Sequence, residues 1–247
     1  MVAIVLAAGY ATRLYPLTLN RPKALLKIGN KTMLDHIIDE INTIGEVRST
    51  IIVSNDKFYR NFTKWAGQKH SRTEITVLND GTKTEEDRLG AIGDIHFVIK
   101  NCSIVDEDIL VIAGDNFFTY KLIDAYNYYK SVESDCILVM QFKDREALKR
   151  LGVAVVDEND KTIGFEEKPQ NPRSDLAVFA TYFYIKNTLP MIQQYLDEGN
   201  KPDAPGNFVA WLCRRKDVYA YRFSGECYDI GTPEALEQVR REYGQNP

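Results

Sequence analysis

Apolar positions change period repeatedly along this chain, and the changes predict an alternation of strands and helices. Val2 to Ala7 is an unbroken β-branched and aliphatic run, the pattern of a central strand covered on both faces, and Gly9 ends it. Met33, Leu34, Ile37, Ile38, Ile41 and Ile44 then recur at helical spacing, with Thr32 placed to cap the amino end and Gly45 the carboxyl end. Thr50 to Val53 is a second short apolar run. Strand, loop, helix and strand make a βαβ opening.

The alternation continues through a polar amphipathic stretch at Asp56 to Gln68, a strand at Glu74 to Leu78, a helical pattern at Glu86 to Ile99 and a buried strand at Ile109 to Ala113. These predict a parallel sheet, extended by a helix at Lys121 to Ser131 and a strand at Cys136 to Phe142. Beyond Gly152 the texture changes. Val153 to Val156, a turn at Glu158 to Asp160, Thr162 to Glu166 and Leu176 to Ile185 read as antiparallel strands, with helices at Pro190 to Glu198 and Pro233 to Tyr243. Repeats, low-complexity tracts and linkers are absent, so one domain is expected over residues 1–247.

Composition narrows the class. A chain of 247 residues with 44% hydrophobic positions can bury roughly 70 to 75% of its unfolded surface, enough to stand without disulfides. Cys102, Cys136, Cys213 and Cys227 form no CxxC and no Cys/His pair, which removes the case for a zinc site or a secreted disulfide framework and favours the cytoplasm. The apolar start has no preceding Lys or Arg, and no stretch reaches 18 apolar residues, so neither a signal peptide nor a membrane span is expected. A formal charge of −4 gives no general attraction to nucleic acid or anionic lipid. Any anion must be held by a local basic site.

Such a site is written after the first strand. Leu6-Ala7-Ala8-Gly9-Tyr10-Ala11-Thr12-Arg13-Leu14 is followed by Pro16, Leu17, Thr18 and Arg21-Pro22-Lys23. Small residues at 7, 8, 9 and 11 let a turn approach a ligand closely, with N–H groups aimed at phosphate oxygens. Arg13 and Lys23 add the positive charge that a triphosphate requires as pyrophosphate departs. The string lacks both GxxxxGK[ST] and GxGxxG. Gly9 by itself is most simply a tight strand-to-helix connection; the whole string with its two cations points to phosphate chemistry.

These residues resemble the sugar-phosphate nucleotidylyltransferases. The family's opening pattern is met by Leu6 to Leu26, and the resemblance continues through Gly114-Asp115-Asn116, Glu166-Glu167-Lys168-Pro169 and Tyr228-Asp229-Ile230-Gly231-Thr232, in the family's order. It implies an α/β three-layer sandwich with a mostly parallel, mixed central sheet of Rossmann-like type. Residues 1–135 would be mainly the nucleotide-binding half and 136–247 mainly the acceptor-binding half. The implied reaction joins a nucleoside triphosphate to a sugar 1-phosphate with Mg²⁺ and releases pyrophosphate. By the same resemblance Leu6 to Arg13, Lys23 and Asp115 hold nucleotide, and Asp115 and Asp229 hold Mg²⁺, which prefers carboxylate oxygens together with substrate phosphates. Glu167 takes sugar hydroxyls, Lys168 the acceptor phosphate, Gly152 lies against the sugar, and Asn116 goes with the acceptor. Read without the resemblance, Asp115 and Asp229 are turn residues and Glu167-Lys168 a charged strand end. His36, His70 and His96 have no triad or metal partners and are expected to be structural.

The chain departs from the family in two places. Where relatives read the base with a glutamine and then a Gly-Leu or Gly-Thr pair, this chain has Leu78-Asn79-Asp80-Gly81-Thr82 and, after a longer polar insertion, Gly90-Ala91. The Asn79 amide favours UTP or dTTP and leaves CTP open, because it can flip. In the acceptor half, Phe179-Ala180-Thr181-Tyr182 stands where many relatives have Thr-Gly, placing Ala180 and Thr181 at the acceptor site and keeping a polyol, cyclitol or aminoalcohol phosphate open beside a hexose. No appended β-helix is expected after Pro247, and a homo-oligomer is left open. A glycosyltransferase of the same fold would more naturally show Asp-x-Asp, but residue 117 is Phe. A non-catalytic nucleotide-sugar sensor could dispense with Arg13 or Asp229, and both are present.

Overall fold

The computed structural model describes residues 1–244; the expected domain limit at Pro247 lies outside the described residues. The fold is α/β, a mixed, mostly parallel central sheet with flanking helices. The chain gathers into two compact units, one of Met1–Arg88, Ile112–Ile123 and Gly225–Pro247, the other of Leu89–Val111 and Asp124–Ser224. The strand Ile109–Ala113 and the helix Leu122–Val132 each begin in one unit and end in the other.

In the first unit Val2–Leu6, Ser49–Ser54 and Glu74–Asn79 lie side by side, all parallel, with Ile4 opposite Ile51 and Ile51 opposite Thr76. Ala3, Ile4 and Val5 are wholly buried, as an unbroken apolar run demands. The helix Met33–Ile41 buries Met33, Leu34, Ile37, Ile38 and Ile41 on one face, each contributing roughly 1.5–3 kcal/mol of apolar burial. Thr32 starts it with a capping box: its hydroxyl accepts from the Asp35 N–H, and the Asp35 carboxylate accepts from the Thr32 N–H. The carboxyl end falls earlier than the Gly45 signal. Asn42 caps the helix, and the Arg72 guanidinium donates to the carbonyls of Asn42, Ile44, Gly45 and Val47, so the chain after Ile41 is held as a turn by a side chain distant in sequence. The Pro233–Tyr243 helix is where its pattern placed it, and Leu236 and Val239 join a core with Leu14, Met33, Phe117 and Ile230.

The second unit carries Asp135–Gln141, Gly152–Val156, Thr162–Glu167, Leu176–Tyr184 and Val218–Arg222. Leu176–Tyr184 is antiparallel to both Asp135–Gln141 and Gly152–Val156, and Val218–Arg222 is parallel to Asp135–Gln141, so the Cys136 run does not extend the first unit's all-parallel pattern. The helix expected from Glu86 begins instead at Gly90 and runs to Asn101, because the Asp87 carboxylate accepts from the N–H groups of Lys83 and Thr84 and keeps that stretch a turn. Val218–Arg222 and the helix Pro205–Leu212 were not anticipated. The helix is apolar on most sides, burying Phe208, Val209, Trp211 and Leu212, and so lacks an amphipathic period. No described helix is long and apolar enough to cross a membrane.

His36, half-buried on the Met33–Ile41 helix with the Phe117 ring edge-on at 5.2 Å, has an Nε2 without a hydrogen-bond partner. Burial, the larger cause, and the nearby Lys31 charge hold its pKa below the ordinary value, against opposing effects of the Ile28 backbone and of Asp39 and Asp35. The unfolded chain therefore takes up a proton at about pH 6.5, where the folded one does not. Stability present above that pH is expected to fall as pH drops towards the depressed folded value. Melting temperatures from pH 7.5 to 5.5 check it: His36→Gln flattens the slope relative to wild type.

Candidate active site

The first unit assembles most of the phosphate-directed residues. After Leu6 the chain leaves the sheet, and its carbonyls are engaged from outside: Asn55 Nδ2 donates to Ala8 O at 2.8 Å and Thr18 Oγ1 to Ala11 O at 2.8 Å. Ala11 is left-handed at φ 49°, and Thr12–Leu14 closes as a 3₁₀ turn. Among the described residues nothing accepts from the backbone N–H groups of Ala8, Gly9, Tyr10, Ala11, Thr12 and Arg13. Six consecutive donors without a protein acceptor, around a left-handed residue, are the kind of backbone that can receive an anion. The Arg13 guanidinium lies beside Gly231, about 3.7 Å from where a side chain there would start.

Lys23 sits in a 3₁₀ turn entered through Pro22 and is buried, with its side chain 9% exposed. Its Nζ donates to Asp115 Oδ2 at 2.9 Å and to Asp229 Oδ1 at 3.2 Å, and both carboxylates are half open to solvent. Asp115 is placed by Gly114, whose N–H donates to Leu6 O at 2.8 Å; a Cβ at Gly114 would lie 3.0 Å from that oxygen and 3.1 Å from Val5. Asp229 ends the strand Cys227–Asp229, antiparallel to Asn116–Phe118, and the register sets it opposite Asn116. Burial first, then Asp229 and Asp115, push the neighbouring Cys227 thiol well up and keep it protonated. Two carboxylates already sharing one cation are a donor set that suits Mg²⁺, which takes one or two carboxylates and completes its shell with phosphate oxygens and water. Among the described residues no cluster of three or more His, Cys, Asp or Glu is arranged to hold a metal alone.

Asn79 ends the Glu74–Asn79 strand, and Asp80 and Gly81 follow it. Asn79 Nδ2 donates to Asp56 Oδ1 at 2.8 Å and its Oδ1 accepts from Gly81 N–H at 2.9 Å, while Asp80 Oδ1 accepts from Thr82. The Asn79 amide thus keeps one N–H and one lone pair for a ligand. Thr12 Oγ1 donates to Glu85 Oε2 at 3.3 Å, joining the small-residue loop to the polar insertion.

The second unit holds the other predicted residues. Gly152 and Glu167 are register partners on adjacent strands. Glu167 is half-buried, and burial raises its pKa against the lowering effect of Lys168. Lys168 takes the left-handed region at φ 49° with its N–H donating to Leu151 O at 3.0 Å, a conformation that costs a non-glycine residue on the order of 1 kcal/mol. Ala180 and Thr181 lie at a bulge, where the register passes from Phe179 opposite Leu138 to Tyr182 opposite Ile137. Phe179 packs on Phe142 and Phe223, and Tyr182 stacks with Tyr184. Gly90, at φ +78°, starts its helix where a Cβ would lie 2.8 Å from the Pro202 carbonyl group, and Ala91 N–H donates to Asp203 O. A packing reason for glycine at 90 therefore exists without any nucleotide.

Sequence reasoning passed over Asn55 and gave no role to Thr18 and Gly114, which shape the loop without carrying charge. Asn55 had a usable signal, an Asn between a strand and a helical stretch; its Oδ1 accepts from Phe58 N–H at 3.0 Å ahead of the helix Tyr59–Ala66.

Comparison with known proteins bears on the family and the fold. The family model described as nucleotidyl transferase matches residues 2–246. Among solved structures, a Bacillus anthracis protein described as a glucose-1-phosphate thymidylyltransferase, in complex with sucrose, superposes with a TM-score of 0.80 at 21% identity, covering 100% of this chain and 97% of that one. A UDP-glucose pyrophosphorylase complexed with UDP-glucose, and an apo form of an enzyme so described, each give a TM-score of 0.82 at 18% identity over 98% of this chain and 97% of theirs.

Asn55→Ala removes the donor to Ala8 O and the acceptor for Phe58 N–H at a wholly buried position. It is expected to cost at least about 2 kcal/mol, since each buried group left unpaired carries a desolvation penalty. Urea unfolding of the variant measures this; a loss within experimental error contradicts the assigned role.

Proposed function

We propose, since this chain belongs to the nucleotidyl transferase family, that it transfers the nucleotidyl group of a nucleoside triphosphate to the phosphate of a sugar 1-phosphate, releasing pyrophosphate and a nucleoside-diphosphate sugar. The observation that carries this is the run of six N–H groups from Ala8 to Arg13 with no acceptor among the described residues, beside Arg13 and next in sequence to the strand that positions Asp115 through Gly114. Those donors suit a polyphosphate, because they are fixed before it arrives and need no reorganisation.

In the reaction, an acceptor phosphate oxygen attacks the α-phosphorus in line; the new P–O bond forms as the bond from α-phosphorus to the α–β bridging oxygen breaks. Arg13 and Lys23 stabilise charge gathering on the leaving pyrophosphate, and the Ala8–Arg13 amides hold the triphosphate in the attack geometry. Lys168 orients the acceptor phosphate, and the Glu167 carboxylate accepts hydrogen bonds from sugar hydroxyls. The nucleophile is already anionic, so no general base is needed. Mg²⁺, held by Asp115 and Asp229, would neutralise phosphate charge as a Lewis acid. UTP or dTTP is the preferred nucleotide, supported by what remains free on the Asn79 amide and by the thymidylyl and UDP-glucose chemistry for which the similar structures are named.

The reading is tested by incubating the protein with Mg²⁺, each nucleoside triphosphate and a panel of phosphorylated sugars, polyols and aminoalcohols, and measuring pyrophosphate. Release with no sugar 1-phosphate would refute it. Asp115→Asn and Asp229→Asn each lower turnover on the order of a hundredfold or more while leaving the fold intact; near-normal turnover at saturating Mg²⁺ removes the metal assignment. Arg13→Ala and Lys168→Ala separate the two substrates. The first chiefly lowers kcat, and the second also raises the acceptor KM. If Lys168→Ala moved only the triphosphate KM, the acceptor assignment would be wrong.

A further inference from the structure

We propose that Gly206 is a positioning residue for the acceptor site, its missing side chain being the space that the Glu167 carboxylate occupies. This rests on the acceptor reading of Glu167 given above, and the geometry is independent of it. A Cβ built on Gly206 would stand 2.2 Å from Glu167 Oε2 and 2.6 Å from the Phe165 ring, and one on Gly152 would stand 2.6 Å from the same ring and 3.4 Å from the same oxygen. Phe165 and Glu167, two apart on one strand, face the same way. The carboxylate is thus lodged between two glycine backbones and an aromatic edge. Among the described residues no donor meets it, so it is left to accept from a ligand.

The first turn of the Pro205–Leu212 helix, which bears Gly206, cannot back away to admit a methyl group. Just upstream, Pro202 O accepts from Ile92 N–H at 2.8 Å and Asp203 O from Ala91 N–H at 3.3 Å, which satisfies the open amino end of the Gly90–Asn101 helix. The Pro202 backbone also fills the place where a Gly90 side chain would begin. Further along the same helix, buried Phe208 and Val209 anchor it. With the turn fixed at both ends, the movable member is the Glu167 side chain. A methyl at 206 turns the carboxylate out of its seat and moves the hydrogen bonds it offers to sugar hydroxyls.

The steric claim and the acceptor reading are tested separately. In the ligand-free protein, the Glu167 carboxyl is followed by carbon-13 NMR titration in wild type and Gly206→Ala. Displacement into water lowers its pKa from the raised wild-type value, and an unchanged titration overturns the proposal whatever the substrate. With saturating UTP and the most active sugar 1-phosphate as the varied substrate, Gly206→Ala is expected to raise the acceptor KM about tenfold or more, with kcat and the triphosphate KM changing far less. In a Glu167→Asp background, whose carboxylate is one methylene shorter, adding Gly206→Ala costs at least severalfold less than it does in wild type. Additive effects, or a uniform loss of kcat with lowered melting temperature, assign Gly206 to stability alone and overturn the positioning role. Glu167→Gln reports on the acceptor reading itself: an unchanged acceptor KM there refutes that reading while leaving the titration result standing. Phe165→Leu, which adds no atoms and opens the same space, covers the case of a Gly206→Ala chain that does not fold. It raises the acceptor KM in the same way, and an unchanged KM counts against the proposal.

Discussion

A buried ammonium group shared by two carboxylates organises the first unit. Lys23 reaches Asp115 and Asp229 across 92 and 206 residues of chain, so one Nζ fastens a turn near the amino end, a turn after a central strand and a short strand near the carboxyl end. A lysine with a side chain 9% exposed needs such partners, because an uncompensated buried charge costs several kcal/mol. Each partner, half open to solvent, keeps lone pairs for something else. The same contact is therefore structural in its lysine and chemically available in its aspartates.

The loop from Ala8 to Arg13 obeys the complementary rule. Ala8 O and Ala11 O take side-chain donors, while the six consecutive amides of the loop meet no acceptor among the described residues. Asn55 and Thr18 take up acceptors and leave donors. Small residues make this feasible: Ala11 tolerates the left-handed conformation at modest cost, and Gly9 adds no side chain. Arg13 beside Gly231 then sets a full charge next to the partial charges of the amides.

Much of the fold was legible because its apolar runs have a clear period. Val2–Leu6, Ser49–Ser54, Ile109–Ala113 and Pro233–Tyr243 lie within a residue or so of their predicted limits, and Thr32 caps its helix as its type and place imply. The failures have physical causes. Gly45 gave a local stop signal that Arg72 overrode from far away, Glu86 to Leu89 continued a helical pattern that the Asp87 turn interrupts, and the Pro205 helix is too evenly apolar to show a face. At the site, charged and small residues could be read from their order, but the neighbours that orient them could not. Nothing in the sequence sets Gly206 against Glu167 or Gly114 against Leu6; those contacts exist only once strands pair and turns close.

The division of the chain also has a consequence for biosynthesis. The second unit consists of Leu89–Val111 and Asp124–Ser224, whereas the first is completed only by the segment that begins at Gly225. During vectorial synthesis the second unit has all its residues before the first has its last strand and helix. Lys23 leaves the ribosome early and waits for Asp229, 206 residues later, its charge unmatched on that side in the interval. The nascent polypeptide therefore passes through a stage in which the Glu167 seat can be complete and the aspartate pair cannot.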